Sequence, residues 1–493
     1  MLKDVDKDLE DYESEILLLQ SRILYIENQQ TWLKKHAVGL RSLISPIRKV
    51  PNEILLRIFD YACTRNLLQE FPWSKDFKFP PSNPIVDPLK HLPAMSISSV
   101  CTRWRSVALS SSAIWSRICL ELSTENSRLP NIQLVLSGFL ATVELHLHRS
   151  GKCPLTIELD ISGSIDLGEN IIPRRLLAFD LICNHPWCSF QIDGNQSIST
   201  ILDAQVDRIQ DCQSLRHLHF GINSNLDNEM EIFKHAHGLC SFSLVALRGV
   251  PKSFWDKISS LTVGFMRGEI DRVFNIASSP KELVLGERRN DLFPIIPCTP
   301  PRLCTSVSIL KLELCLNWDD SLADAAFSSF TFPSLSRLVI SSDTDYPYQG
   351  AWPKATLASF IRRSSCNLTK LEVENVSVSD IDLIAALKLM PSLANLHVDD
   401  SPTELNPSGS ALVPKLRELQ LKFNGLEFDD SAFINMISSR WLPDAQYASG
   451  IGLSCLRVVT LRFNSRAVNQ AVYRPLDYLD KAGMMVVVLG MDD

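Results

Sequence analysis

The sequence predicts an α/β protein: a solenoid of strand–helix repeats, preceded by a small all-α module and an N-terminal coiled-coil helix. Apolar residues repeat every seven positions over the first 40 residues, which indicates the coiled-coil helix. Apolar helical segments then lie on either side of a proline-rich stretch. Beyond them an L-x-x-L-x-L pattern recurs, and such self-similarity is typical of a repeat array. We therefore divide the chain into residues 1–44, 45–122 and 123–493.

The composition excludes several classes of protein. The 493 residues are 45% hydrophobic and 21% charged, which is ordinary for a globular chain and unlike a disordered or fibrous one. The net charge of −7 comes without any strongly basic segment, so we expect no nucleic-acid partner. The 13 cysteines include no C-x-x-C pair, which favours free thiols in a reducing compartment.

The sequence also predicts no export and no membrane attachment. Residues 1–15 hold seven carboxylates and two lysines, which suits neither a signal peptide nor a transit peptide. The apolar stretch Met484–Leu489 is far shorter than the roughly 18 residues that cross a bilayer. We therefore expect an intracellular protein, in the cytoplasm, the nucleus or both.

The first segment is predicted to be one helix from Leu9 to Leu40, about 48 Å long. Two interpretations stay open: the helix joins two copies of the protein as a coiled coil, or its apolar stripe packs back on its own chain. The two heptad rows are Leu9, Ile16, Ile23, Gln30 and Ala37, and Tyr12, Leu19, Ile26, Leu33 and Leu40.

The second segment is predicted to be a small helical module. Pro51 suits the first turn of a helix, and the apolar residues of Ile54–Ala62 lie on most sides of it, so this helix should be covered from two directions. A six-proline stretch, Phe71–Pro93, is expected to be an extended insert. Three short helices in under 80 residues make a poor stand-alone domain and favour half of an interface. The second helix carries an apolar stripe of Ile97, Val100, Cys101, Trp104, Val107 and Ala108.

This module resembles the F-box in three segments: Val50–Phe59, Ser99–Arg105 and Ile114–Trp115. The resemblance implies a three-helix module that docks on a Skp-family adaptor and, through it, on a cullin. The insert at 66–92 departs from the compact family pattern and should loop out; a private three-helix core without an adaptor is the alternative. Matched by motif position, the adaptor-binding residues would be Pro51, Ile54, Leu55, Ile58, Phe59, Val100, Cys101, Trp104 and Trp115.

The third segment carries ten copies of the apolar pattern, one of them partial, at spacings of about 19–40 residues. Stretches predicted to be helical, such as Ala355–Arg363 and Ser379–Leu389, lie between the copies. Weaker copies are expected upstream at Leu145–Leu147, Ile157–Leu159 and Phe190–Ile192. A helix ending at Lys481, a glycine at 483 and a strand over Met484–Leu489 should close the array. The copies begin at Leu215, Leu239, Ile258, Leu283, Ile309, Leu335, Leu368, Leu393, Leu416 and Leu456.

Strand then helix, repeated at this period, resembles a leucine-rich-repeat horseshoe. In the L-x-L core of each copy the two apolar residues point inward and their neighbours point outward, because strand side chains alternate. The outward side chains would form the concave face, and their mixed charge favours a protein substrate; binding at the insertions instead is the alternative. The predicted concave residues are His217, His219, Lys311, Glu313, Lys370, Glu372, Glu374, Asn395, His397, Asp399, Glu418, Gln420, Lys422, Thr460 and Arg462.

No catalytic signature accompanies this organisation. The sequence contains no G-x-S-x-G, H-E-x-x-H or G-x-G-x-x-G motif, and three H-x-H pairs, at 146/148, 217/219 and 235/237, have no evident third ligand. We therefore predict no enzyme, no metal and no cofactor. The F-box resemblance implies the substrate-recognition subunit of a Skp–cullin–F-box ubiquitin ligase. The alternatives are a repeat scaffold without ligase function and an enzyme built on the same scaffold.

Overall fold

The computed structural model describes most of the chain. The described residues are 2–43, 45–69, 92–123, 132–162, 172–194, 212–221, 236–244, 257–265, 280–287, 299–314, 322–342, 350–399, 412–423 and 428–491, together with 233, 297 and 348. The predicted insert therefore falls largely outside them, at 70–91, as does His235.

The N-terminal helix, α1, runs over Leu2–Leu43, so it is longer than the heptad rows alone predict. None of its described side chains belongs to either of the two hydrophobic cores of the described chain. A short 3-10 turn, Pro46–Lys49, separates α1 from the helical module.

The helical module consists of α2 (Asn52–Ala62), α3 (Pro93–Val100), α4 (Thr102–Ser110) and the single turn α5 (Ser112–Trp115). Glu53 lies in the first turn of α2, where a carboxylate is favoured by the helix dipole. The module has its own small core, which is separate from that of the array. This core consists of Leu55, Phe59, Cys63, Ala94, Val107, Ala108, Ile114 and Trp115.

A parallel sheet of 15 strands runs through the rest of the fold, with its first strand inside the helical module. The strands of this sheet lie side by side in the order in which they follow one another along the chain. Its first half consists of β1 (Asn66–Gln69), β2 (Arg117–Ser123), β3 (Leu155–Ser162), β4 (Trp187–Gly194), β5 (His217–Phe220), β6 (Ser241–Leu244), β7 (Ser260–Phe265) and β8 (Glu282–Glu287). Two-residue strands β9 (Arg302–Leu303) and β11 (Phe330–Thr331) pair only with each other. The second half consists of β10 (Ile309–Leu314), β12 (Arg337–Ser342), β13 (Lys370–Glu374), β14 (Asn395–Asp399), β15 (Glu418–Phe423), β16 (Val458–Phe463) and β17 (Met485–Leu489).

Helices connect many of these strands on the side of the sheet that holds the main core. They are α6 (Ile132–Ser150), α7 (Ile172–Cys183), α8 (Leu322–Ser329), α9 (Lys354–Ser364), α10 (Asp380–Lys388), α11 (Asp430–Ser439), α12 (Ala445–Gly450) and α13 (Gln470–Lys481). The two helices predicted within the array, at 355–363 and 379–389, are confirmed as α9 and α10.

The recurring apolar pattern sets the register of the sheet. Leu338 faces Leu371, and Leu371 faces Leu396, so the central apolar residue of each copy stacks on that of the next. The first apolar residue of each copy, for example Leu335 or Leu393, lies just before its strand and is also buried. One repeat alone cannot bury its row of apolar residues. Stacking of neighbouring repeats covers these rows and joins them into a continuous core.

The copy predicted to start at Ile309 is wrong by two residues. Leu310, and not Leu312, faces Leu338 of the next strand, so the aligned copy is Val307, Leu310 and Leu312. The error arises because Leu310, Leu312 and Leu314 alternate with outward residues along β10. The L-x-x-L-x-L pattern therefore fits the sequence equally well if it ends at Leu312 or at Leu314. A shift of two residues keeps every side chain on its face.

The upstream copies are confirmed at 157–159 and 190–192, which lie in β3 and β4, but the one at Leu145–Leu147 is wrong. These residues lie within the 19-residue helix α6. Val143 and Leu147 are buried and Glu144 is exposed, so the spacing that decided the structure is four residues and not two. The sheet begins earlier than residue 123, since β1 and β2 belong to it.

The array ends as the sequence indicates. Helix α13 is followed by Gly483 at φ 103° and then by β17, the last strand of the sheet. Glycine adopts this left-handed backbone conformation after a helix most easily, because a Cβ atom would raise its conformational energy.

Candidate interaction surfaces

Helix α2 has one buried face and one uncovered apolar face. Leu55 and Phe59, four residues apart, lie in the module core. Ile54, Ile58 and Tyr61 lie on a neighbouring face, about 100° around the helix, at spacings of four and three, and they are 48%, 43% and 81% exposed. The helix is therefore covered from one direction only, although its sequence predicts cover from two.

The loop between α3 and α4 lies at the same end of the module as the start of α2. Arg103, in the first turn of α4, donates hydrogen bonds to Asn52 Oδ1 at 2.8 Å and to the backbone carbonyl of Arg48 at 2.7 Å. Cys101 is exposed and caps α4, its Sγ accepting a hydrogen bond from the Trp104 backbone N–H at 3.4 Å. Val100, beside it, is 59% exposed. Two predicted adaptor residues, Val100 and Cys101, are therefore held near the exposed Pro51.

The two predicted tryptophans have different environments. Trp104 is half-buried, with its ring centroid 5.0 Å from that of Phe59. Trp115 is fully buried and lies between the module core and α6. Its Nε1 donates to the Ala108 carbonyl at 2.9 Å, the His146 ring stands edge-on at 5.3 Å, and the Arg149 guanidinium lies 4.3 Å over the ring. Trp115 therefore joins the module to the first helix of the array.

Buried Asn66, at the start of β1, brings together the two chain segments that flank residues 70–91. Its Nδ2 donates to the carbonyls of Ile114 at 2.8 Å and Arg117 at 2.9 Å. Its Oδ1 accepts a hydrogen bond from the Ala94 N–H at 3.2 Å, in the first turn of α3. One buried side chain thus satisfies three backbone groups and fixes α3 next to β1.

All 15 residues predicted for the concave face lie on strands, at positions that alternate with core residues. Arg462 and His217 are exposed and Glu372 and Asp399 are buried, while the others are half-buried. The strands that carry them are β5, β10, β13, β14, β15 and β16. We call this side of the sheet the outer face.

Charged residues of the outer face in β12–β15 largely pair with one another. The Glu372 carboxylate lies between Arg337 Nη2 at 2.7 Å and Lys370 Nζ at 2.6 Å. Burial raises the pKa of Glu372, but hydrogen bonds from Lys370 and Arg337 outweigh it and leave that pKa below its ordinary value. Lys422 Nζ lies 2.6 Å from the buried Asp399 carboxylate, and Asn395 donates to Glu418. This part of the face is therefore a connected polar network.

Sequence reasoning missed an acidic row near the other end of the outer face. Glu121 on β2, Asp160 on β3 and Asp193 on β4 face one another in register. Partial burial raises the pKa of Asp160, and the adjacent Glu121 and Asp193 carboxylates raise it further. The signal was present as alternation around Leu159 and Ile192, but the predicted concave residues began only at His217.

The two H-x-H pairs whose members are both described, at 146/148 and 217/219, do not assemble a metal site. His146 and His148 lie on helix α6, where residues two apart point in different directions. His219 Nε2 instead approaches Asp193 Oδ1 at 3.4 Å. Among the described residues there is no group of three or more His, Cys, Asp or Glu side chains that could hold a metal. Within the same residues, no helix is long and apolar enough to cross a membrane.

The chain shows no clear similarity to a known protein family. No protein-family model matches the chain. No curated protein matches it either. One similar solved chain is described as "Crystal structure of TLR13-ssRNA13 complex"; it is 12% identical, with a TM-score of 0.32, over 78% of this chain and 52% of that one. The chain spans about half the length of that neighbour, and a likeness this weak carries no argument about function.

Proposed function

We propose that the protein is the substrate-recognition subunit of a Skp–cullin–F-box ubiquitin ligase, with the outer face of the sheet as the substrate surface. One observation carries the proposal: the motif residues divide into two sets by burial. Leu55, Phe59 and Trp115 build the module core. Pro51, Ile54, Ile58, Val100 and Cys101 remain on its surface, where an adaptor can reach them.

The exposed apolar set supports binding of an adaptor by simple energetics. Fully burying a side chain of this size stabilises by about 1.5–3 kcal/mol, and Ile54, Ile58 and Val100 still expose roughly half of theirs. A partner that covers all three gains several kcal/mol from apolar burial alone, which suits the centre of a specific interface.

The outer face supports a protein substrate with a basic segment. The row of Glu121, Asp160 and Asp193 holds three carboxylates in register. Partial burial raises the pKa of Asp160 most, and repulsion from the two neighbouring carboxylates raises it further, against a smaller opposing effect of Arg65. A lysine or arginine placed beside the row relieves that repulsion. Farther along the outer face, the charges within the Arg337–Glu372 and Lys422–Asp399 pairs neutralise each other. A substrate that binds at that part of the face would therefore be recognised mainly by its shape.

The proposal is tested by co-purifying the full-length chain with a Skp-family adaptor, alone and as Ile54→Asp/Ile58→Asp. Both isoleucines are exposed, so the double variant should keep the fold, whereas a substitution at Phe59 would disrupt the module core. Ile381→Asp is the matched control, because Ile381 is 74% exposed on α10, far along the array. We expect a complex with the native chain and the control and none with the double variant.

A second candidate is a scaffold in which the module only covers the end of the array. The position of Trp115 between the module and α6 favours it, since a cap needs this kind of contact. The co-purification distinguishes the two candidates. If the folded native chain captures no adaptor, the ligase proposal is wrong and the scaffold function remains.

A further inference from the structure

Helix α1 presents an uncovered heptad face. Eight large apolar side chains of the two heptad rows, between Leu9 and Leu40, are 51–63% exposed. None of them belongs to a hydrophobic core of the described chain. Five heptads exceed the three or four that sustain a coiled coil. The face therefore suits a second helix of matching pattern and length.

The charges of α1 divide between its two halves. Residues 2–21 carry seven carboxylates and two lysines, a net charge of −5. Residues 22–43 carry four basic side chains and one carboxylate, a net charge of +3. Two such helices side by side repel when parallel and attract when antiparallel, because only the second arrangement brings acidic and basic halves together.

We propose that α1 binds α1 of a second copy of this chain as an antiparallel two-helix coiled coil. The heptad rows select a register in which the residue numbers of facing core positions add to 49. Ile23 then faces Ile26, Ile16 faces Leu33, and Leu9 faces Leu40. The two weak heptad positions are also accommodated, since the small Ala37 faces the large Tyr12 and Gln30 faces Leu19.

The flanking positions agree with this register. Glu13 comes opposite Lys34, and Glu15 comes opposite His36; each pair occurs twice by symmetry. Sliding the helices by one heptad in one direction sets Glu13 against Glu27, and sliding them in the other sets Glu27 against its own copy. Flanking charges choose partner and orientation in coiled coils, so these repulsions disfavour both alternatives.

The arrangement separates the two helical modules. Each module follows the C-terminal end of its own α1, and a 42-residue helix is about 63 Å long. In an antiparallel pair the modules therefore lie at opposite ends of the rod. Two adaptor surfaces and two arrays then act without obstructing each other, and a substrate with two binding segments gains avidity.

Light scattering of the full-length chain tests the pairing. We expect a mass of two chains for the native protein and one chain for Leu19→Asp/Ile23→Asp, which places charges in the seam. Leu17→Asp/Leu24→Asp is the matched control, because these leucines are exposed on α1 outside the seam. The control should remain a pair. A native monomer, a four-chain assembly or dissociation of the control overturns the proposal.

Cross-linking tests the orientation. The first native cysteine is Cys63, so α1 contains none, and the native chain serves as the blank. Leu9→Cys and Leu40→Cys chains, co-expressed with tags of different size, should form a mixed disulfide on oxidation. Leu9→Cys alone should form none through position 9. A disulfide between two Leu9→Cys chains shows a parallel pair and rules out the antiparallel one.

Charge reversal gives an independent second test of orientation. In the antiparallel pair, Glu13→Lys sets the new ammonium group against Lys34 of the other copy and should weaken dimerisation on the order of tenfold. In a parallel pair the same change sets that group against Asp8 and strengthens dimerisation. Glu13→Lys combined with Lys34→Glu restores the antiparallel affinity, and failure of that rescue contradicts the register.

Discussion

Arg337 and Glu372 form an ion pair across the adjacent strands β12 and β13, with 2.7 Å between Nη2 and Oε2. The Glu372 side chain is only 8% exposed although it points away from the main core. Neighbouring side chains of the outer face, including Lys370, cover it. The outer face is thus packed and charge-paired at this point, and its polar groups contribute to the stability of the array.

Replacing Glu372 with Gln should therefore lower the free energy of unfolding by about 1–2 kcal/mol at pH 7. The loss arises because Arg337 and Lys370 each lose a charged acceptor. Denaturant unfolding measures it. Glu374→Gln is the control, since that more exposed carboxylate pairs only loosely with His397 at 3.6 Å, and we expect a change below about 0.5 kcal/mol.

The contribution of Glu372 should also depend on pH. Its pKa in the folded chain lies below the ordinary value of 4.5, so the unfolded chain takes up the proton first as the pH falls. The stabilisation is complete above pH 4.5 and is lost as the pH falls through the folded value. The difference between the native chain and Glu372→Gln should therefore shrink at acidic pH, and a constant difference contradicts this account.

Replacing Trp115 with Ala should destabilise the protein by about 3–5 kcal/mol. The change removes a fully buried ring from the module core and leaves the Ala108 carbonyl without its indole donor. Because Trp115 also contacts α6, hydrogen exchange should quicken on both sides of that junction. Trp32→Ala is the control: Trp32 is exposed on α1, and its removal should leave the unfolding of the array unchanged.

His146 should make stability fall on mild acidification. Burial lowers the pKa of His146 below its ordinary value of 6.5, and Nδ1 lies 2.9 Å from the Thr142 carbonyl. Below pH 6.5 the unfolded chain binds a proton that the folded chain resists, so stability declines as the pH falls through the folded pKa. His146→Phe should reduce the slope of this decline by up to about 1.4 kcal/mol per pH unit. Thermal melts at several pH values measure the decline, and a decline that persists unchanged in His146→Phe contradicts this account.

The segment 70–91 should be dispensable for the fold. Asn66 before it and Ala94 after it are joined by a hydrogen bond of 3.2 Å, so the flanking chain is already positioned. A linker of about six Gly and Ser residues spans the remaining distance from the end of β1 to α3. We expect an unchanged melting temperature. Loss of the module core on this replacement shows that the segment is required for folding.

Asn66→Ala is the complementary change and should cost about 2–4 kcal/mol, because it removes the side-chain hydrogen bonds to two carbonyls and one N–H at a buried position. Asn184→Ala controls for the residue type, since Asn184 makes a single exposed hydrogen bond to the Asp180 carbonyl. Chemical denaturation compares the two. Equal effects at both positions contradict the role given to Asn66.

Local patterns allowed much of the array to be predicted. The L-x-L alternation around Leu371, Leu396 and Leu419 locates buried strands, because side chains on a strand alternate between two faces. Outward residues follow from the same rule, which is why Lys311 keeps its face although its copy was misplaced by two residues. Leu145–Leu147 was misassigned because two apolar residues with one polar residue between them fit a strand as well as one turn of a helix.

The sequence by itself determined the strand–helix alternation, the phase of each strand and the heptad rows of α1. These features follow from the spacing of apolar residues along the chain, because the regular direction of side chains on strands and helices puts residues at a fixed spacing on the same face. Only the tertiary structure decided which apolar residues of the module are core and which are surface. Ile54 and Leu55 are adjacent and alike in the sequence, and α3–α5 cover only one of them. The acidic row and the pairing of Arg337 with Glu372 also required strand register, because their members lie 33–39 residues apart and become neighbours only when the strands pair.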